Sequence, residues 1–312
     1  MASAYKVELI SVKEKELFME RIRSANLYER KAVIHGTCVK FFSDNHDFKD
    51  MWEDNFEMLP DWFRPHARLF CISGSGLRVR YEPISKTVIM EGCDYYGWVK
   101  SIALALVADF LEDFTSEHRR YSVHGSFIDM TGRGIALIGP SGSGKTTLTY
   151  GLLLDERCNF LTDDWFFVRL ADSGTLVYSS EKNSYIRGDL ASSWPEYGKK
   201  LEGARKDSRS RAVVDVRRLV GSDRIRTDST LAATVLLTRD KKLPPFSKLS
   251  PKDALAFMLS NDFCNPHQLV RSKAKKAQRT GFFRELFSRA PVYLLNTIET
   301  PGQSLGRLKK LI

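Results

Sequence analysis

The sequence predicts a mixed α/β protein in two parts, a small N-terminal α+β module followed by a larger α/β domain. Strand-like runs alternate with turn signals over roughly the first 95 residues, with one helix-like run among them. Beyond them, β-like and helix-like runs surround a glycine-rich stretch at 139–147. We expect the module to cover residues 1–115 and the domain to cover residues 116–312.

Length and composition indicate a folded protein with a sizeable core. The chain has 312 residues, 43% of them hydrophobic and 28% charged. Its most apolar segment, SIALALVADFL, is shorter than the about 20 residues of a membrane span, and the start lacks the pattern of a signal peptide. The five cysteines are scattered without metal-like spacing, which suits a reducing compartment. We therefore expect a cytoplasmic protein without membrane passage.

The net charge of +10 is concentrated in the C-terminal third. Residues 201–312 hold 23 Lys/Arg against 10 Asp/Glu, a balance that favours anionic partners. The run RSKAKKAQR (271–279) is interpreted as a solvated helix face, because charge runs usually coat exposed helices. No helix-turn-helix, zinc finger or set of stacking aromatics is evident, so nucleic acid is an unlikely partner.

The N-terminal module is predicted from three β-like segments and two helical ones. AVIHGTCVKFF, RLFCISGSGLRVRYEP and KTVIMEGC read as strands, and DFKDMWEDNFEML reads as a helix. A second helix is expected over about 97–114. It is apolar on most sides, which predicts burial between layers.

The larger domain is predicted to begin with a β-hairpin. VHGSFIDM and IALIG flank the turn TGRG. The second of these strands leads into the glycine-rich stretch at 139–147, which has the form of a phosphate loop. In most proteins with such a loop, the strand that enters it belongs to a parallel βαβ unit instead. A helix from Lys145, a strand at FLTDDWFFVRL, and further strands at AATVLLTRD and PVYLLNTIE follow. Ser250 before Pro251 marks the start of another helix.

The stretch GPSGSGKTT matches the G-x-x-x-x-G-K-[ST] phosphate loop. Its glycines allow backbone N–H groups to converge on phosphate oxygens. Lys145 is expected to reach the terminal phosphates of ATP and the Thr146 hydroxyl to bind Mg²⁺. The predicted nucleotide-binding residues are Gly139, Pro140, Ser141, Gly142, Ser143, Gly144, Lys145, Thr146 and Thr147.

Two adjacent carboxylates follow the phosphate loop. Asp163 and Asp164 lie 18 and 19 residues after Lys145, in FLTDD. Side chains alternate in direction on an extended backbone, so one carboxylate can face the metal or nucleotide while the other faces an incoming hydroxyl. Kinases need this division of roles.

Four motifs in order resemble the catalytic domain of the bacterial HPr kinase/phosphorylase group. They are VHG with His124, GPSGSGKT fifteen residues later, LTDD, and YIRG with Arg187. The resemblance covers roughly residues 120–240 and implies a phosphate-loop domain with a mixed sheet of the HPr kinase type, whose active-site architecture is shared with phosphoenolpyruvate carboxykinases. It implies that His124 lies near the transferred phosphate, that Lys145 and Thr146 hold nucleotide and Mg²⁺, and that Asp164 is the general base.

The chain also departs from that group. The group has a metal-binding glutamate two residues before the arginine of I-R-G, where this chain has Tyr185, and Glu181 is the candidate replacement. The metal ligands expected here are Thr146, Asp163 and Glu181. A long insertion, ASSWPEYGKKLEGARKDSRSR, follows YIRG. Its Arg209 and Arg211, like Arg187, could hold an acceptor or phosphoryl group.

These features predict an ATP- and Mg²⁺-dependent phosphotransferase acting on a hydroxyl group, either a protein serine or a small, anionic alcohol. Its predicted catalytic residues are Asp164, His124, Lys145 and Arg187. The resemblance makes a homo-oligomer possible. The alternatives are an ATPase of the motor or transporter type, which lacks its LSGGQ-like signature here, and a nucleotide-binding regulatory module without transfer. A carboxykinase would need oxaloacetate and second-metal groups that we cannot place.

Overall fold

The computed structural model describes residues 5–114, 119–181, 183–186 and 189–311. Within these residues the chain forms two large mixed sheets and one small two-stranded sheet. Parallel and antiparallel pairs occur in both large sheets, which confirms the predicted mixed α/β class.

The first sheet has seven strands within the described residues. Their bounds are β1 Val7–Leu9, β2 Tyr28–Ile34, β3 Thr37–Ser43, β4 Glu57–Leu59, β5 Ala67–Ile72, β6 Arg78–Glu82 and β7 Thr87–Glu91. They lie in the order β1-β6-β7-β5-β3-β2-β4. Helices α1 (Val12–Arg21), α2 (His46–Asn55) and α3 (Tyr96–Asp113) accompany this sheet. Side-chain oxygens of Ser11 and Asn45 cap the first two helices, which fixes where they begin.

Helix α3 joins the two large sheets. It lies almost entirely buried, as the sequence predicts, and it packs in one hydrophobic cluster with strands of the first sheet and with Trp165 and Phe167 of the second. Each fully buried aliphatic side chain of this kind contributes about 1.5–3 kcal/mol. The boundary at 115/116 falls at residues outside those described, and the division into module and domain stays a prediction.

The second sheet contains eight strands within the described residues. Their bounds are β8 Arg120–Met130, β9 Arg133–Ile138, β10 Asn159–Thr162, β11 Trp165–Ala171, β12 Gly174–Tyr178, β15 Asp228–Thr238, β16 Phe246–Leu249 and β17 Val292–Asn296. Strands β8, β11, β12, β15 and β9 form a closed circuit of hydrogen-bonded neighbours. Strands β13 (Asn183–Ile186) and β14 (Ala212–Asp215) form the small sheet.

Helices cover both faces of the second sheet. They are α4 Lys145–Leu152, α5 Leu190–Ser193, α6 Gly198–Leu201, α7 Arg217–Val220, α8 Pro251–Ser260, α9 Lys273–Arg289 and α10 Pro301–Leu308. Short 3-10 turns span Pro195–Tyr197, Ser222–Arg224 and Asp262–Cys264. The predicted start of α8 is confirmed, since the Ser250 hydroxyl accepts a hydrogen bond from the Asp253 N–H.

The predicted hairpin is confirmed: β8 and β9 pair antiparallel from Gly125–Ile138 to Met130–Arg133. The predicted single strand FLTDDWFFVRL is instead two strands, β10 and β11, with Asp163 and Asp164 between them. Both strands pair with β8, and the β10 register shifts just before the break. The two aspartates therefore lie between the paired segments of β10 and β11, while β8 continues past them.

None of the helices in the described parts of the chain has the length and apolar character that crossing a bilayer requires. The five cysteines are all free thiols.

Candidate active site

Strand pairing brings three of the sequence motifs to one place. Gly125, which follows His124, pairs with Ile138, the last residue before the phosphate loop. On its other side, the Gly125 N–H donates a hydrogen bond of 2.8 Å to the Asp164 carbonyl. Strand β8 therefore holds the phosphate loop on one edge and the two aspartates on the other.

The phosphate loop has the strand–loop–helix arrangement that its motif predicts. Gly142 and Gly144 adopt φ of +79° and +95°, a region that favours glycine. A Cβ on Gly139 would come within 2.8 Å of the Leu237 carbonyl oxygen, so only glycine fits at the start of the loop. Lys145 then begins α4, whose N-terminal N–H groups face the loop.

Two adjacent cavities open at this place. The first, here called the loop cavity, has a volume of about 340 Å³. Its lining includes six of the nine predicted nucleotide-binding residues: Ser141, Gly142, Gly144, Lys145, Thr146 and Thr147. The other three contribute differently. The carbonyls of Gly139 and Pro140 accept hydrogen bonds from Lys145 Nζ at 2.7 and 3.2 Å, and the Ser143 carbonyl accepts one from the Thr297 hydroxyl.

The second cavity, here called the α3 cavity, has a volume of about 300 Å³. Its wall includes residues of α3 and of the segment just before it, together with Arg209 and His267. The two cavities share a boundary formed by His124, Ser141, Thr146, Asp163, Asp164, Tyr185 and Arg211. The aspartates therefore lie where the loop cavity meets the α3 cavity.

Asp164 is held in its ionised form at this boundary. Its Oδ2 lies 2.8 Å from Lys100 Nζ, its Oδ1 lies 3.2 Å from His124 Nε2, and 31% of its side chain is exposed. Burial acts to raise the pKa of this carboxyl, but the charge of Lys100 and the hydrogen bond from His124 outweigh it and hold the pKa well below its usual value.

His124 is fixed by a strained turn. Its Nδ1 lies 2.7 Å from the Cys264 carbonyl oxygen, so both ring nitrogens face oxygen acceptors. Three consecutive residues of this turn, Asp262, Phe263 and Cys264, have φ between +49° and +54°. Non-glycine residues rarely adopt such angles, and strain of this kind clusters at functional sites.

Asp163 is buried beside Thr146 at the same boundary. Burial raises the pKa of Asp163 to about 6, and the negative charge of Asp164 acts in the same direction. A hydroxyl and one carboxylate oxygen suit Mg²⁺, which usually takes one or two protein oxygens and completes its shell with phosphates and water. No group of three or more His, Cys, Asp or Glu side chains in the described residues is arranged as a metal cage. The donor set therefore fits Mg²⁺ brought with a nucleotide.

Glu181 lies behind this boundary. Its carboxyl is only 3% exposed and lies 2.8 Å from Lys100 Nζ, and burial raises its pKa to about 8. It does not line either cavity. Its role as a metal ligand stays a prediction.

Sequence reasoning missed Lys100, the cation that pairs with Asp164. It lies on α3, 64 residues before Asp164, and its side chain is 4% exposed. The available signal was one lysine in the otherwise apolar run WVKSIALALV. Arg187, predicted to be catalytic, lies outside the described residues.

Comparisons with known proteins find similarity to HPr kinase/phosphorylases. No protein-family model matches the chain. The chain is 36% identical over 181 residues to an HPr kinase/phosphorylase of Chlorobium limicola, a match that covers 56% of this chain and 52% of that protein. Proteins of the same name from Chlorobium luteolum and Chlorobium phaeovibrioides are 37% and 36% identical over 84 residues, 24% of each. The chain thus spans about half or less of the relatives it matches.

A solved structure of the Hpr(Ser) kinase/phosphatase from Coxiella burnetii aligns with 61% of this chain and 96% of its own, at 14% identity and a TM-score of 0.36. The fold and site described above are those of a phosphate-loop α/β protein. Within that class, this chain resembles the HPr kinase/phosphorylases, and the resemblance predicted from the four motifs is confirmed.

Proposed function

We propose that this protein is an ATP- and Mg²⁺-dependent phosphotransferase that moves the γ-phosphate of ATP to a hydroxyl group. One observation carries the proposal: the ionised Asp164 lies on the shared boundary of two cavities, one lined mainly by the phosphate loop and the other lined mainly by α3, the segment before it, Arg209 and His267. A group transferase needs such an arrangement, with a donor on one side of a carboxylate and an acceptor on the other.

The donor occupies the loop cavity in this proposal. The N–H groups of the loop and Lys145 hold the phosphates. Burial lowers the pKa of Lys145, and its Nζ lies against the carbonyls of Gly139 and Pro140, from which it can turn to a phosphate oxygen. Thr146 and Asp163 would hold Mg²⁺, which when bound neutralises charge on the phosphates.

The acceptor occupies the α3 cavity. Asp164 accepts the proton of the acceptor hydroxyl, the hydroxyl oxygen bonds to the γ-phosphorus, and the bond to the β–γ bridging oxygen breaks with its electron pair leaving on ADP. The low pKa of Asp164 suits this role, because in a loose transition state orienting the hydroxyl matters more than strong basicity. His124 and Lys100 hold the carboxylate in position, and Arg187 would stabilise the phosphoryl group.

The proposal is tested with the full chain, Mg²⁺ and γ-labelled ATP in the presence of serine-bearing proteins and small alcohols. We expect label in an acid-stable phosphate ester with one ADP formed per ester. Lys145→Met should lower the transfer rate at least tenfold, since the phosphates lose their cation. Lys276→Met, at an exposed position on α9, is the matched control and should be unaffected.

Release of label only as inorganic phosphate, at a rate independent of any alcohol, would favour the ATPase alternative. Bound ATP that is never turned over would favour a regulatory module. The cytoplasmic location, the homo-oligomer and the two-part division of the chain stay predictions.

A further inference from the structure

We infer that the α3 cavity binds a small anionic alcohol and that Arg209 and Arg211 hold its anionic group. The inference rests on the proposed function and names the acceptor class. Both arginines belong to the insertion after YIRG, which the resemblance marks as particular to this chain.

The two guanidinium groups are placed by aromatic rings. The Arg209 Cζ lies 4.2 Å from the centre of the Trp98 ring and 4.3 Å from that of Tyr95, and the Arg211 Cζ lies 5.2 Å from that of Tyr95. Cation–π contact of this kind holds a guanidinium in place, and a guanidinium can bond a carboxylate or phosphate in bidentate fashion.

The backbone carrying these arginines is also ordered. One carboxylate oxygen of Asp207 accepts hydrogen bonds of 2.9 Å from the N–H groups of both Arg209 and Arg211. Ser210 between them has a φ of +59°, so the turn directs both side chains toward Tyr95. On the ring side, a Cβ on Gly97 would collide with the Tyr95 ring, so glycine is required there.

Charge in the α3 cavity favours an anion. Lys100 already has two carboxyl neighbours, because its Nζ lies 2.8 Å from Asp164 Oδ2 and 2.8 Å from Glu181 Oε2. By contrast, no acidic side chain in the described parts of the chain lies within ion-pair distance of the guanidinium group of Arg209 or Arg211. Two cations without carboxylate partners line the wall of a cavity that ends at Asp164.

The size of the cavity favours a small molecule over a protein. Its volume of about 300 Å³ is at the lower end of the range for small-molecule sites. Residues of α3 form part of its wall, and Trp98 lies there in cation–π contact with Arg209. A compact alcohol with one anionic group fits without displacing them.

The experiment measures transfer from Mg·ATP by the full chain to four probes: glycerate, glycerol 3-phosphate, glycerol and a serine-containing protein. We expect an anionic alcohol to be phosphorylated and glycerol to have a much higher KM. Arg209→Gln should raise the KM for the anionic alcohol about 10- to 100-fold, because a charge-assisted hydrogen-bonded pair is lost. The KM for ATP should stay unchanged, since Arg209 lines only the α3 cavity. Arg284→Gln, at an exposed position on α9, is the matched control.

Transfer only to the protein serine, or equal KM values for glycerol and glycerol 3-phosphate, would overturn the inference and leave the proposed transferase intact. If no probe is phosphorylated, calorimetry in the presence of a nonhydrolysable ATP analogue measures whether glycerate and glycerol 3-phosphate bind to the protein. Binding of glycerate or glycerol 3-phosphate that Arg209→Gln weakens supports the anion site although the transferase fails. Absence of such binding overturns the inference.

Discussion

At the scale of single residues, the site depends on one lysine between two carboxyls. Lys100 lies 2.8 Å from both Asp164 and Glu181, yet the pKa of Asp164 is lowered and that of Glu181 is raised to about 8. The difference follows from surroundings: Asp164 is also bonded by His124, whereas the pKa of Glu181 is raised by its burial and by the charges of Asp164 and Asp163. At neutral pH this leaves one negative charge opposite one positive charge, a separation of roles typical of acid–base sites.

Replacing Lys100 by methionine should move the pH dependence of transfer. Without the cation, only His124 still opposes the effect of burial, so the pKa of Asp164 rises. Because the base must be ionised, the variant should lose more activity than the wild type between pH 8 and pH 5–6. The wild type loses part of its activity there as well, since the proposed metal ligand Asp163 has a pKa of about 6. Initial rates across this range measure the shift, with Lys276→Met as the control. Superimposable profiles for Lys100→Met and wild type would show that Lys100 does not set the ionisation of Asp164.

Glu181→Gln should become more stable relative to wild type as the pH rises. The pKa of Glu181 is about 8 in the folded protein against 4.5 as its ordinary value, so the fold favours the protonated carboxyl. That contribution is present in full below pH 4.5 and is lost as the pH rises through 8. Urea denaturation at pH 5, 7 and 9 measures the free energy of unfolding. A variant equally destabilised at all three would contradict the buried neutral carboxyl, and an altered Mg²⁺ requirement would support Glu181 as a metal ligand.

At the scale of secondary-structure elements, β8 assembles the site by pairing with β9 on one edge and with β10 and β11 on the other. The sequence predicted the hairpin because its turn and strand signals are local. It did not predict the break at Asp163 and Asp164, because the apolar residues on both sides of these two aspartates are strand-like and were read as one strand. The break depends on a register shift against β8, which is a long-range feature.

Gly125→Ala tests this assembly. Its Cβ would lie 2.7 Å from the Leu137 carbonyl oxygen and 3.1 Å from the Phe166 ring, so β8 would have to move from its neighbours. We expect a loss of about 1–3 kcal/mol in the free energy of unfolding from overpacking. We also expect transfer at least tenfold slower, because Asp164 moves relative to the phosphate loop.

Gly281→Ala is the control for Gly125→Ala, since a Cβ there meets no atom within 4 Å. It should keep full activity and be neutral to slightly stabilising, because alanine favours a helix interior more than glycine does. If both alanine variants behave alike, the close approach at Gly125 does not position the site.

At the scale of the whole molecule, helix α3 ties the first sheet to the phosphate-loop part through buried charges. Lys275 Nζ lies 2.6 Å from Asp113 and 3.0 Å from Asp109, and Arg279 lies 3.1 Å from Glu112. The sequence predicted RSKAKKAQR as a solvated face, and this is wrong for Lys275 and Arg279, which are buried. Counting charges along the sequence cannot reveal that the partners of Lys275 and Arg279 lie more than 160 residues away in the chain.

Arg279→Met should destabilise the whole protein. It leaves the Glu112 carboxyl, 2% exposed, with only the longer contact of 3.7 Å to Lys275 Nζ, and breaking a buried ion pair costs about 3–5 kcal/mol. Because α3 belongs to both sheets, we expect circular dichroism and tryptophan fluorescence to report one shared urea transition at lower denaturant. Arg157→Gln, which breaks an exposed pair with Asp155, should leave the transition in place. Two separate transitions would show that the two parts fold independently.

The structure brings together the predicted site residues whose motifs are local, and sequence reasoning missed the side chains that distant segments bring to them. His124, the phosphate loop and the aspartates were found because each occurs in a short pattern with a physical role. Lys100, the carbonyl of Cys264 and the stacking of Arg209 on Trp98 depend on contacts across 64 to 140 residues. Hydrophobic periodicity reports which face of a helix is buried, and it does not report what a lone lysine on that helix meets.

The most direct test of phosphoryl transfer across Asp164 compares Asp164→Asn with wild type in one assay of transfer rate and ATP affinity. The amide keeps the shape of the carboxylate but cannot accept the hydroxyl proton. We predict transfer slowed by about 10²- to 10⁴-fold, with the Kd for Mg·ATP changed by less than about threefold. Transfer at the wild-type rate, or weakened ATP binding with unchanged turnover, would contradict the account.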